Sequence, residues 1–159
     1  MQFNNTCRKV MITLSVVLFS LTISVAQELD KAIVEKAVSS KQFVFKARTV
    51  LPMRGSSRTL TSDYEVSLLG DSIISHLPYF GRVYNTTYGG SGGVEFTSTK
   101  FDYKSKLRKK GGWDVTIETK DVKDKQELIF YISETGYATL QVNDNNREPI
   151  SFNGYIVEK

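Results

Sequence analysis

Cysteine and histidine are almost absent from this sequence: Cys7 and His76 each stand alone among 159 residues. One cysteine closes no disulfide within the chain, and one of each leaves too few ligands for a Cys/His metal cluster. Charge of one sign is lacking too. Lys and Arg number 21 against 17 Asp and Glu, a formal charge of +4. With apolar residues at 40%, charged at 24% and aromatic at 11%, the composition excludes collagen-like, low-complexity and strongly disordered chains. The length suits one domain at the usual ~100–200 residues. These counts single out no biochemical activity.

Residues 1–26 read as a targeting segment. Arg8 and Lys9 precede an uncharged, mostly apolar run at 10–24 (VMITLSVVLFSLTIS), and Ser24 and Ala26 place small residues before a cut at Gln27. That order is the pattern of a secretory signal peptide. The run falls short of the ~20 apolar residues of a spanning helix, so cleavage is expected, with no transmembrane span afterwards. Cys7 is lost with the segment, and a lipid-anchored form would carry cysteine where Gln27 stands. The expectation is a single periplasmic or secreted β-rich domain at 27–159, free of cysteine and stabilised by packing alone. Losing Arg8 and Lys9 takes two positive charges from the total, which weakens any argument for an anionic partner from net charge.

Within the domain, hydrophobic spacing changes once. Leu29, Ala32, Ile33 and Ala37 fall at intervals of three and four, predicting a helix over 27–40. After Ser40 the period is two. Phe43, Phe45 and Ala47 share a phase, as do Leu60, Tyr64, Val66 and Leu68. Val94, Phe96 and Ser98 follow, with the pattern running on through Phe101 and Tyr103; later come Trp113, Val115 and Ile117, then Leu128, Phe130 and Ile132, then Ala138, Leu140 and Val142, then Ile150, Phe152 and Ile156. Turn residues separate these runs at Gly70-Asp71, Gly111-Gly112, 121–125, 134–136 and 143–146. Connections this short favour antiparallel neighbours. The fold class is therefore mainly β: a short N-terminal helix, then about eight or nine antiparallel strands in a mostly meandering sheet. With one apolar face, it must curl into a barrel or pack under the helix.

Chemistry is harder to find. His76 lacks a second histidine or a G-x-S-x-G elbow, and reads as a surface or strand-end residue. The glycines of 89–93 (GGSGG) lack the ending of a phosphate loop and precede a strand pattern. Lys104, Lys106, Arg108, Lys109 and Lys110 form a basic run, read as a solvated hairpin end guarded by edge lysines, with an anionic partner as the alternative. Asn143, Asp144, Asn145 and Asn146 lack the length and closing Glu of a calcium loop. No pattern calls for a catalytic residue, a metal or a cofactor, and an exported chain has little occasion to meet nucleic acid.

The densest unusual stretch is 77–84 (LPYFGRVY), followed by Tyr88. Amphipathic aromatics with arginine bury large areas and still form hydrogen bonds, as contact surfaces require. Tyr79, Phe80, Arg82, Tyr84 and Tyr88 are the candidate contact residues. The competing reading is a structural corner, bent at Pro78 and Gly81 and plugged by Tyr79 and Phe80.

The same stretch carries a resemblance. L-P-Y-F-G-R at 77–82, G-G-V-E-F at 92–96, G-Y-A-T-L-Q-V at 136–142 and R-E-P-I-S-F-N-G at 147–154 resemble the domain-of-unknown-function family 4251. The resemblance implies a small exported protein of Gram-negative bacteria and supplies no activity. The first expectation is an exported, non-enzymatic β-domain binding a hydrophobic or amphipathic ligand, or an envelope protein partner. The second is an envelope structural or interaction protein without a small ligand, and an envelope hydrolase has least support.

Overall fold

The computed structural model describes residues 30–84 and 92–158. The targeting segment at 1–26, Leu29, Tyr88 and the first glycines of 89–93 lie outside them.

Helix α1 spans Lys31–Ser40. Asp30 is extended (φ −62°, ψ 139°), and its side chain accepts the amide of Ala32 at 3.2 Å. An N-cap residue has non-helical backbone and a side-chain oxygen for a free amide. The helix therefore starts at Lys31, and the expected residues Gln27 to Leu29 lie outside the described residues. Lys41 closes it in the left-handed region (φ 56°), returning its amide to the carbonyls of Ala37 and Val38. The buried stripe is Val34, Ala37 and Val38, while Ala32 is exposed. The helix thus turns its branched side chains to the core, a rotation of the expected stripe.

Nine strands follow: β1 (Gln42–Pro52), β2 (Arg58–Leu69), β3 (Ile73–Pro78), β4 (Gly93–Ser98), β5 (Phe101–Leu107), β6 (Trp113–Thr119), β7 (Gln126–Ile132), β8 (Tyr137–Asp144) and β9 (Arg147–Val157). All pairings are antiparallel, in the spatial order β4-β3-β2-β1-β9-β8-β7-β6-β5. The sheet curls into a nearly closed barrel. The first and last strands pair, Val44 facing Val157 and Val50 facing Phe152. The opening falls between β4 and β5, which are consecutive in sequence but stand at opposite edges.

The expected run from β4 into β5 breaks at residues 99–100. The carboxylate of Asp121 accepts there from the hydroxyl of Ser98, from the amides of Thr99 (2.9 Å) and Lys100 (3.1 Å), and from the Thr99 hydroxyl. Ser98 first, then the Thr99 amide, hold its pKa down to about 2. The sequence carries the matching signal: inward positions pass from Ser98 to Phe101, an odd step that a continuous strand does not allow.

Strand β1 bends at Arg48, where both of its ladders shift register. Gly154 crosses β1 here, and a Cβ on it would run into the backbone carbonyl of Lys46. Past this bulge the inward phase moves from Phe43, Phe45 and Ala47 to Val50. The interior is aromatic at its centre. Phe43 and Phe45 meet Phe130 edge-on at 5.6 and 5.7 Å between centroids, an arrangement that matches ring edges to ring faces. Burying each such side chain stabilises the fold by ~1.5–3 kcal/mol.

Helix α1 covers the barrel end where β1 begins. The Tyr103 hydroxyl donates to the Val38 carbonyl at 2.7 Å, Lys41 lies 5.2 Å from the Tyr103 ring, and the Gly70 amide donates to the Lys41 carbonyl. Lys31 pairs with Glu134 on the β7–β8 turn, and Lys36 with Glu158 beyond β9. Burial pushes the Tyr103 phenol up to about 12.

Candidate functional site

At the opposite end, residues 79–84 leave β3 and fold back over the β8–β9 hairpin. Val83 bridges Arg147 in antiparallel fashion. The Tyr84 amide donates to the Asn146 carbonyl at 2.8 Å, and the Glu148 amide to the Arg82 carbonyl at 3.0 Å. These bonds satisfy main-chain groups that would otherwise need water.

Tyr79 locks the corner. Its hydroxyl lies 2.7 Å from the Arg82 carbonyl and 3.0 Å from that of Glu148, sharing one proton between segment and hairpin. Burial raises its pKa, with the carboxylate of Glu148 acting in the same direction. The Arg147 guanidinium stands 5.2 Å from the Tyr79 ring centroid, donates to the Gly93 carbonyl at 2.6 Å, and pairs with Asp144 at 3.7 Å. Gly81 allows the turn to close: a Cβ there would collide with the Tyr79 hydroxyl.

The predicted contact residues therefore divide. Tyr79 is half-buried in the corner, whereas Phe80, Arg82 and Tyr84 are exposed; Tyr88 lies outside the described residues. Phe80 and Val83 are each 41% exposed and Tyr84 63%. The corner and contact readings apply to different side chains of one segment.

Sequence reasoning missed what stands beside them. The β1–β2 connection brings Arg54 Nε to 3.6 Å from Glu148 Oε1, and the start of β2 brings the Arg58 guanidinium to 5.0 Å from the Phe80 ring centroid. Met53, on the same connection, is 62% exposed. Glu148 is buried, its other oxygen 3.5 Å from the Arg82 amide. No local motif announces this meeting, because β9 brings together residues that lie far apart in the chain.

The remaining candidates sit elsewhere. His76 is exposed on β3, its Nδ1 3.3 Å from Glu95 and its ring 5.5 Å from that of Tyr64. The basic run follows the free edge of β5 and the β5–β6 turn, with Arg108 3.4 Å from Asp114. Lysines on an edge strand discourage pairing with another sheet. Two polar surface clefts lie near the β6–β7 and β8–β9 connections. One, of about 230 Å³, is lined by Glu118, Lys125, Glu127, Asn143, Asp144 and Asn145. Lys125 pairs with Glu118 at 3.1 Å, and Asn143 donates to Glu127 at 2.8 Å, so these carboxylates already have partners. The other, of about 260 Å³, runs from β4 to residues 122–126.

A model of a domain of unknown function (DUF4251) matches residues 26–156. The chain belongs to the DUF4251 family. It is similar to the crystal structure of a DUF4251 family protein from Bacteroides eggerthii DSM 20697 at 1.95 Å resolution, with 20% identity and a TM-score of 0.65, covering 84% of this chain and 90% of that one. At that identity the likeness concerns the fold. No curated protein matches the chain.

In this DUF4251 chain the barrel centre is filled. Phe43, Phe45, Leu68, Ile117, Leu128, Phe130, Leu140 and Phe152 all have zero exposure, which leaves no water-sized void against them. A small-ligand cavity needs ~300 Å³ or more, and these side chains occupy the place where a barrel would hold one.

Proposed function

We propose that this DUF4251 chain is an exported, non-enzymatic β-domain that binds an amphipathic ligand or an envelope protein partner on its surface, through the outward side chains of residues 80–84. The observation that carries this reading is the exposure of Phe80, Val83 and Tyr84 on a segment whose backbone is tied to the β8–β9 hairpin. A contact surface ordered in advance loses little conformational entropy on binding. Aromatics and arginine are enriched at such surfaces. The filled interior moves any ligand outside the barrel, and it favours equally a second reading, an interaction protein without a small ligand.

Site-specific photocrosslinking in cells tests the reading. A crosslinking side chain in place of Tyr84 gives adducts, while one in place of Tyr137, exposed at the helix-covered end, does not. Equal labelling at both positions, or none at either, overturns the proposal. Export is tested separately by the N-terminus of the native protein: Gln27 supports it and an intact Met1 rejects it.

A further inference from the structure

Of the eight large apolar side chains exposed among the described residues, four stand at the end occupied by residues 80–84 and the β1–β2 connection: Met53, Phe80, Val83 and Tyr84. The charges beside them are of one kind. Arg54, Arg58 and Arg82 are exposed, and Arg147 lies beneath, over Tyr79. The carboxylates touching these arginines, Glu148 and Asp144, have side chains only 5% and 6% exposed. The carboxylates paired with Arg54 and Arg147 are therefore buried, while Arg54, Arg58 and Arg82 stand exposed beside the apolar groups; the exposed Glu95 lies further along, against His76 on β3.

We propose that this end of the barrel docks on an anionic bilayer surface. The inference rests on the surface-binding reading above and names the ligand class for the same residues. Guanidinium groups pair with phosphate oxygens through two parallel hydrogen bonds. Tyr, Phe and Met beside them have apolar bodies that suit the headgroup boundary, where amphipathic rings collect. Shape favours a membrane over a peptide. The apolar groups sit on a turn and a corner segment, and neither of the two clefts described above is lined by Met53, Phe80, Val83 or Tyr84, whereas an extended peptide is ordinarily held in a groove or at a sheet edge. A flat lipid surface needs none.

The test is co-sedimentation of the purified chain with vesicles of phosphatidylcholine alone, and with vesicles in which a third of the lipid is phosphatidylglycerol. Binding is expected only to the anionic vesicles, falling as salt is added. Each arginine near an anionic surface contributes on the order of fivefold to partitioning, so the double variant Arg58→Gln/Arg82→Gln loses roughly 25-fold. The melting temperature of that variant checks its fold, and Tyr84→Ser, at a side chain 63% exposed, provides an independent loss of binding. Equal sedimentation with both vesicle types overturns the proposal. So does absence of anionic binding in a chain that still yields the Tyr84 protein adduct, an outcome that leaves the surface-binding reading standing. Absence of both vesicle binding and adduct removes both.

Discussion

The two ends of the barrel are closed by different means. At one, α1 lays Val34, Ala37 and Val38 on the core, and its outward Lys31 and Lys36 are paired with Glu134 and Glu158. At the other, residues 79–84 are tied by main-chain bonds and one phenol, while Phe80, Val83 and Tyr84 project outward. A segment fastened by its side chains spends them on stability. A segment fastened by its backbone leaves them free for something else. The first end should therefore be sensitive to truncation in stability and the second in binding.

Substitutions can break that contrast. The largest effect belongs to the centre that both ends share: Phe130→Ala should cost ~3–5 kcal/mol, seen as one cooperative shift in a denaturant melt. Thr139, on the outer phase and bonded to Asn153, should cost nearer ~0.5 kcal/mol on change to Ala. A comparable loss at both would mean that the outer face is packed as tightly as the inner. At the helix end, Val34→Ala should cost about 2 kcal/mol, whereas Tyr84→Ala should stay within ~0.5 kcal/mol; reversal of that order in thermal melts defeats the comparison.

Two smaller effects sharpen it. Tyr103→Phe removes the shorter of the two hydrogen bonds to the Val38 carbonyl, leaving that from the Lys41 amide, and should cost ~1 kcal/mol. Because burial lifts the folded phenol to about 12, above the ordinary ~10, its contribution is complete below pH ~10 and is lost as pH rises towards 12. Alkaline melts should show that loss in the parent chain and a smaller one in Tyr103→Phe. The smallest stability change is expected for Arg82→Ala, within ~0.5 kcal/mol, together with loss of retention on whatever the 80–84 face binds. A large fall in melting temperature with binding intact would return Arg82 to the structural corner.

The two-residue period made the strands legible, and glycine marked their turns: Gly111, Gly112 and Gly136 all have positive φ. Local patterns also carried the one-sided burial of β6, β7 and β8. Pairing between β1 and β9 was not legible, because alternation says which face is buried and nothing about which strand lies alongside. The helix start was obscured by apolar spacing that ran through Asp30, whose capping bond depends on backbone angles. In the site, aromatic density pointed to 77–84 but could not separate Tyr79 from its neighbours. Arg54, Arg58 and Glu148 join that region only through tertiary structure, and no spacing encodes it.

The pairing of β1 with β9 has a consequence for how the barrel forms. Its central ladder joins residues more than a hundred positions apart, such as Val44 and Val157, so nucleating there means closing nearly the whole chain into a loop before any contact compensates the lost entropy. The spatial order, read from the other edge, is β5 to β9 followed by β1 to β4. A circular permutant opened between Thr99 and Lys100, with the ends beyond β9 and before α1 joined by a short linker, would turn every strand neighbour into a sequence neighbour. The same native contacts would then be reached through local hairpins, and refolding should be faster at little change in the structure reached.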